Sequence, residues 1–491
     1  MPPIKLFFIY GVLGSLSRVA GILLIPLYTR TLSIEDYGAL DVLISLNALF
    51  VILAGLQTES AVMREYQDAR TRGLIPALVW SAVQVTVAGV VLLALGLIAL
   101  VMTGVSLPLM DAETIGYLMV LTLLTQLMGV QMVFLRFSGR PIAFAILSMV
   151  DILLAAGFSL VFVVMLDLGV VGALMGLVCG KLVLVAGFWG ITFKWMPTPF
   201  VDRSMIRRLV LFGAPSVPAV VAGWFQNVGN RPLLAVTLPL VDVALTGVAV
   251  KVAAVYGIVV YSFRLAWEPF AIGRLDESEE TRGVFNHTVE LYVATMFPIA
   301  GFAALVAPYM VRILAPASFA TASELSVPFI LGQFWLGLAN MLSIGVLGAR
   351  IPSRLIVIQM AGVAVSVALI FGLAKLIGPV AAGIGFLLGN IAMAIVAKYY
   401  SDKYYATRFN ASLLASAAVG SLFLSLGGHW LLAEGRSYFM AFGSSTLILT
   451  LGGAVVLVIT FAILLIGVGR AGVSRIATEA SEKLQMLRSP R

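Results

Sequence analysis

The chain is poor in charge. Asp, Glu, Lys and Arg make up only 11% of its 491 residues, while 61% are hydrophobic; soluble domains carry about 25% charged residues. That shortage excludes an ordinary soluble protein. Cysteine is nearly absent. Cys179 stands alone in an apolar stretch, which excludes a disulfide framework and a thiolate metal site. With only His287 and His429, a histidine-ligated metal centre is not expected either. No Walker motif or other nucleotide fingerprint is evident, so no cofactor is expected. Segments of ~10 residues with alternating polarity are missing, which sets aside a transmembrane barrel. The first apolar run, from Leu6, is too long for a signal segment. It ends in Leu27-Tyr28-Thr29-Arg30 rather than at small residues, and is expected to be retained as a span.

What the chain has is apolar length. A hydrocarbon core of about 30 Å takes roughly 20 helical residues to cross. Runs of that length recur at about 6–29, 39–63, 74–102, 114–135, 142–165, 170–193, 209–229, 242–270, 287–311, 325–348, 355–376, 379–398, 411–432 and 440–469. The fold class expected is an all-α polytopic membrane protein of about 14 transmembrane helices. No soluble domain interrupts the spans. The least secure are the fifth-to-sixth hairpin, joined only by Leu166-Asp167-Leu168-Gly169, and the seventh span, broken by Pro215 and Pro218.

The 31 Lys and Arg residues fix an orientation. Sorted by connecting segment, 22 fall on one side, five on the other and four inside spans. The even gaps, Lys5 and the tail share the rich side, while the odd gaps hold Arg30, Arg231, Arg312, Lys375 and Arg436. The positive-inside rule then places both termini in the cytoplasm. The same rule explains the net charge of +8 without nucleic acid as a partner.

An internal repeat at an offset of 206 pairs Pro26, Leu27, Thr31, Leu32 and Asp36 with Pro232, Leu233, Thr237, Leu238 and Asp242. Both copies fall between the first and second spans of a half. Six spans per half is an even number, so two six-helix lobes in a parallel pseudo-twofold repeat are expected, with two extra C-terminal helices. The domains expected are residues 1–193, a cytoplasmic linker 194–208, a second lobe 209–398, two additional spans in 411–469 and a basic tail 470–491. Ser33 is expected to cap the second span, with Glu35 and Asp36 in its first turn.

A charge at mid-bilayer costs about 2.5–3.5 kcal/mol on the insertion scale, and so belongs against a cavity or a partner. The four span-borne cations are Arg18, Lys181, Lys251 and Arg264. Cations from both halves suit a cleft that receives something anionic. The rival for each is neutralisation by a buried acid, or, for Arg264, snorkelling to the interface. The acidic candidates are Asp41, Glu59, Asp151, Glu268 and Glu290. Asp151 is the deepest, expected to pair with Arg18 or Lys181, or else to titrate as a proton site. Glu59 is expected near the interface beside Arg64, and Glu268 is expected to hold a helix end before Pro269. Asn47, Gln126, Gln131, Asn227, Gln333, Asn340, Gln359 and Asn390 read as interhelical hydrogen-bonding points. Trp224, Tyr256, Tyr261, Trp267 and Trp335 read as packing or interfacial aromatics rather than sugar platforms.

The stretch from Ile25 through Pro26-Leu27-Tyr28-Thr29-Arg30-Thr31-Leu32-Ser33-Ile34-Glu35-Asp36-Tyr37-Gly38, followed by Ala61-Val62-Met63-Arg64-Glu65-Tyr66, resembles the polysaccharide-unit flippases of the multidrug/oligosaccharidyl-lipid/polysaccharide exporter superfamily. The second half is similar in Asp242-Val243-Ala244-Leu245-Thr246-Gly247 and in Arg264-Leu265-Ala266-Trp267-Glu268-Pro269-Phe270. The resemblance implies a non-enzymatic transporter that moves an undecaprenyl-diphosphate-linked oligosaccharide across the bacterial inner membrane, in the company of membrane lipids and polysaccharide polymerase machinery. Arg18, Lys181, Lys251 and Arg264 would then receive the diphosphate, and Asp41, Glu59, Asp151 and Glu268 would serve ion coupling or charge pairing. A multidrug extruder of the same superfamily is the first alternative, disfavoured by four span-borne cations. A membrane glycan polymerase or ligase is the second, disfavoured by short odd gaps. One departure stands out. Such proteins often carry an Asp-Arg pair after the seventh span, whereas this chain reads Gly229-Asn230-Arg231-Pro232, so no ion-pair role is assigned there.

Overall fold

A computed structural model describes residues 24–103, 109–138, 141–192, 201–272, 279–349, 351–404 and 420. Among them, eleven helices are long and apolar enough to cross a membrane, and each coincides with one of the expected spans two to twelve. The protein is a multi-span, helical membrane protein. Most of the first expected span, the thirteenth and fourteenth spans and the tail lie outside the described residues.

Contacts divide the described chain into two compact units. The first runs to Gly247 and includes Leu314–Pro316; the second holds the remainder, from Val248. The division falls inside one long helix.

The first unit begins with α1 (Leu24–Thr31) and α2 (Ile34–Gly55). Ser33 caps α2 as expected, its hydroxyl oxygen accepting from the Asp36 amide at 3.1 Å. That cap satisfies one of the donors a helix start leaves open. The span ends at Gly55, because Leu56 and Gln57 take left-handed backbone angles, and α3 (Thr58–Thr71) then starts as a separate, polar helix. The expected second span of 39–63 is thus two helices. Glu59 and Arg64 belong to the short one.

Next come α4 (Ile75–Met102), α5 (Ala112–Phe137), α6 (Pro141–Ser159, continued by a π turn at Leu160–Met165) and α7 (Gly169–Thr192). Helix α2 packs on α4, α5 and α7. Asn47 on α2 donates to the Thr122 hydroxyl at 2.9 Å, and Gln126 on α5 donates to the Val51 carbonyl. Both side chains are the interhelical links expected of them.

The seventh span is longer and less regular than its sequence suggests. It runs as α8 (Arg203–Gly213), a 3₁₀ turn at Ala214–Ser216 that holds Pro215, α9 (Val217–Trp224), a π turn at Phe225–Gly229 and α10 (Asn230–Ala235). Two corrections follow. Arg203, Arg207 and Arg208 stand on a helix rather than in a linker, since Asp202 caps α8 through the Ser204 and Met205 amides. Arg231 stands on the closing turn of the span rather than in the gap after it.

Helix α11 (Leu240–Ile272) starts 206 residues after α2, at the repeat offset. It continues through Pro269, so Glu268 does not hold a helix end; the helix is already formed around it. The second unit adds α12 (Glu279–Leu314), α13 (Ala322–Leu342), α14 (Ile344–Gly348), α15 (Pro352–Ile377) and α16 (Val380–Tyr404). Helix α16 packs on both α13 and α15. Pro298 and Pro308 lie inside α12.

Candidate functional site

The most deeply buried ion pair among the described residues joins Asp41 on α2 to Arg231 on α10. Arg231 Nε lies 2.8 Å from Asp41 Oδ2, and both side chains are almost wholly enclosed. Breaking such a pair by removing one partner costs about 3–5 kcal/mol, because a charge is left buried and uncompensated. Ser45, one turn beyond Asp41, completes the arrangement. Its hydroxyl donates to the Asp41 carbonyl at 2.7 Å, and Arg231 Nη1 donates to the Ser45 hydroxyl oxygen at 3.4 Å. Trp224 Nε1 donates to the Ser45 carbonyl at 2.9 Å. The π turn therefore has an anchor to α2 on each side, Trp224 before it and Arg231 after it. The Gly229–Pro232 segment, to which the sequence assigned no ion-pair role, thus supplies one partner of an ion pair. The acid comes from α2, almost two hundred residues earlier, rather than from a neighbour in sequence.

The second pair lies on α6 and α7. Lys181 Nζ is 3.1 Å from Asp151 Oδ2 and 3.3 Å from Oδ1, with Met128 Sδ of α5 at 3.7 Å. Both side chains are about one-fifth exposed. Of the two partners expected for Asp151, Lys181 takes the place; Arg18 lies outside the described residues. Lys181 is thus held, but not sealed.

Arg264 and Glu268, one turn apart on α11, pair at 3.2 Å and are more than a third exposed. The Arg264 guanidinium also lies 5.2 Å from the centre of the Tyr261 ring. A pair this exposed contributes little to stability. Lys251 is half-buried on the same helix. Lys181 belongs to the first unit, and Lys251 and Arg264 to the second.

Glu59 is half-buried on α3, its carboxylate against Gly129 of α5. Burial pushes its carboxyl above the ordinary 4.5, and the charge of Arg136 opposes that rise. Three of the four acidic site candidates, Asp41, Asp151 and Glu268, therefore pair with a basic residue. The aromatic candidates are mostly packing groups: Trp224, Tyr256, Trp267 and Trp335 are buried, and Trp267 meets Phe285 edge-on at 5.3 Å.

A cavity of about 580 Å³ opens in the first unit at the ends of α2, α4, α5 and α7, lined among others by Asp36, Leu43, Asp111 and Thr114. Its two charged side chains are acidic, so it does not suit an anionic head group. Among the described residues, no group of three or more His, Cys, Asp or Glu residues is placed to hold a metal ion.

Residues 4–271 match the family described as "Polysaccharide biosynthesis protein". Among solved structures, the chain is similar to the lipid II flippase MurJ in an inward closed conformation. That likeness has a TM-score of 0.66 at 11% identity, covering 93% of this chain and 99% of the other. It is also similar to an inward-facing multidrug resistance MATE family transporter of the MOP superfamily, with a TM-score of 0.55 at 16% identity, covering 80% and 94%. At these identities the likeness shows the fold. No curated protein matches the sequence.

Proposed function

This chain belongs to the polysaccharide biosynthesis protein family, and on that premise we propose that it flips an undecaprenyl-diphosphate-linked oligosaccharide unit. The direction is from the cytoplasmic to the outer leaflet of the inner membrane, with both termini in the cytoplasm. The observation that carries the reading is cationic charge set within spans and left partly accessible, above all at Lys181. Such charge is costly in hydrocarbon and suits a polar path for an anionic cargo.

The glycan-diphosphate head crosses by alternating access through a cationic cleft, while the polyprenyl tail stays in the hydrocarbon. Arg18, Lys181, Lys251 and Arg264 receive the phosphates. Lys181 exchanges the Asp151 carboxylate for a phosphate oxygen, and Arg264 exchanges Glu268, each by charge-assisted hydrogen bonds. No covalent bond is made or broken, so the protein acts as a transporter rather than an enzyme. The MurJ likeness supports the reading, since that protein is named as a lipid II flippase. Polysaccharide polymerase machinery is the partner that would receive the exported unit.

The MATE likeness supports a second reading, multidrug extrusion. Asp41 and Asp151 would be the sites for cationic drugs, but each already faces a cation at close range. Export of lipid-linked glycan and survival under cationic drugs, compared in cells with and without the protein, separate the two. Lost glycan export with unchanged drug survival is expected; the reverse pattern would overturn the flippase.

A further inference from the structure

Helices α3 and α8 pack side by side at the ends of α4 and α5. Their seam is apolar, built from Ala61, Val62, Tyr66 and Ala69 on α3 and Met205 and Leu209 on α8. Among the described residues, α3, the residue that follows it and α8 carry six basic residues, and all six are arginines: Arg64, Arg70, Arg72, Arg203, Arg207 and Arg208. The nearby acids are already engaged. Asp68 pairs with Arg72 at 2.8 Å, Glu65 pairs with Arg208 at 3.4 Å, and Asp202 caps α8. Arg70, Arg203 and Arg207 remain exposed and outside every ion pair among the described residues. Arg64 is exposed over the Phe212 ring at 4.5 Å. Apolar side chains border them, with Val201 66% and Leu211 63% exposed.

We propose that this seam is a binding site for the head groups of anionic phospholipids. The observations favour a lipid over a soluble anion in two ways. Free guanidinium groups and exposed aliphatic groups lie together on α8 and just before it, which matches an anionic head group attached to acyl chains. Arginine at all six of these positions also fits phosphate, because the planar fork donates two parallel hydrogen bonds to its oxygens where lysine offers a point charge. The arginine-rich gaps are those the charge bias assigns to the cytoplasm, where the leaflet is anionic. The site does not depend on which substrate the protein carries.

The test uses the full-length protein in mild detergent, with lipid adducts counted by native mass spectrometry. Phosphatidylglycerol and phosphatidylcholine of identical acyl chains are offered at equal concentration. Phosphatidylglycerol adducts are expected to dominate and to fall as salt rises. The variant R70Q/R203Q/R207Q is expected to lose affinity for phosphatidylglycerol by about five-fold for each arginine removed. If the triple variant is not folded, the three single variants are expected to lose about five-fold each. R30Q/R312Q, on the opposite side by the same charge bias, is expected to bind as the native protein does. Equal adducts of both lipids, an unchanged triple variant, or an equal loss in R30Q/R312Q would each overturn the site. So would complete displacement of the lipid by inorganic pyrophosphate, which would make the seam a site for soluble diphosphate.

Discussion

Gly247 lies directly against the Asp41 carboxylate. A methyl group built on its Cα would collide with Oδ2, and the two residues are separated in sequence by the repeat offset of 206. Gly38 makes a similar approach on the same two helices, to the backbone carbonyl of Leu240. Helices α2 and α11 therefore cross closely near their starts, and the Asp41–Arg231 pair is seated beside the crossing.

That crossing predicts an order of cost. Overpacking a tight site destabilises by about 1–3 kcal/mol. Gly38→Ala meets backbone, which cannot move aside, whereas Gly247→Ala meets a side chain. Thermal unfolding in detergent is expected to rank Gly38→Ala as the more damaging. The reverse rank would mean that the Asp41 carboxylate is held more rigidly than the helix backbone.

The Asp41–Arg231 pair predicts strong non-additivity. Asp41→Leu or Arg231→Met alone is expected to cost about 3–5 kcal/mol, by stranding a buried charge. The double variant is expected to recover most of that loss, since a well-packed apolar pair is often as stable as a buried ion pair. A double-mutant cycle on unfolding midpoints measures it. Additive losses would show that the two residues act separately.

Lys181 is expected to matter for export beyond neutralising Asp151. Lys181→Ala is expected to abolish export of lipid-linked glycan in a protein that still inserts, and Lys181→Arg to retain part of it. The decisive variant is K181A/D151A, which removes the unpaired acid. Continued loss of export supports phosphate binding by Lys181, and full recovery would reduce its role to charge neutralisation. Arg18→Ala is expected to abolish export in the same assay.

Glu59 predicts a pH dependence. Its carboxyl is raised above the ordinary 4.5 by burial, so the folded state holds its proton more tightly than the unfolded state does. The stability this contributes is fully present below the unfolded value and is lost as pH rises through the folded one. Glu59→Gln removes that slope. Unfolding midpoints of the two proteins are expected to converge near pH 4 and to separate in favour of the variant as pH rises. Parallel curves would exclude Glu59 as the source.

Topology gives the last prediction. Reporter fusions after residues 70, 140, 203, 278 and 352 are all expected to report cytoplasm. An external signal at any of them would show that a span before it had been miscounted.

Local signals in the sequence determined a good part of this protein. Apolar length located the spans because the hydrocarbon thickness sets a minimum that each helix must meet. The Ser33 cap was legible because its hydrogen bond closes within three residues. The Asp151–Lys181 pair was legible as one of two alternatives, since two opposite charges stranded in neighbouring spans have few other partners. Other features required tertiary structure. Nothing near Arg231 in sequence marks Asp41 as its partner, because the contact depends on how α10 packs against α2. The end of the second span at Gly55 depends on left-handed backbone at Leu56 and Gln57, residues without the glycine that would announce it. The π turn at Phe225–Gly229 has no periodicity of its own to read. It lies between Trp224 and Arg231, whose two anchors to Ser45 and Asp41 exist only once the helices have packed.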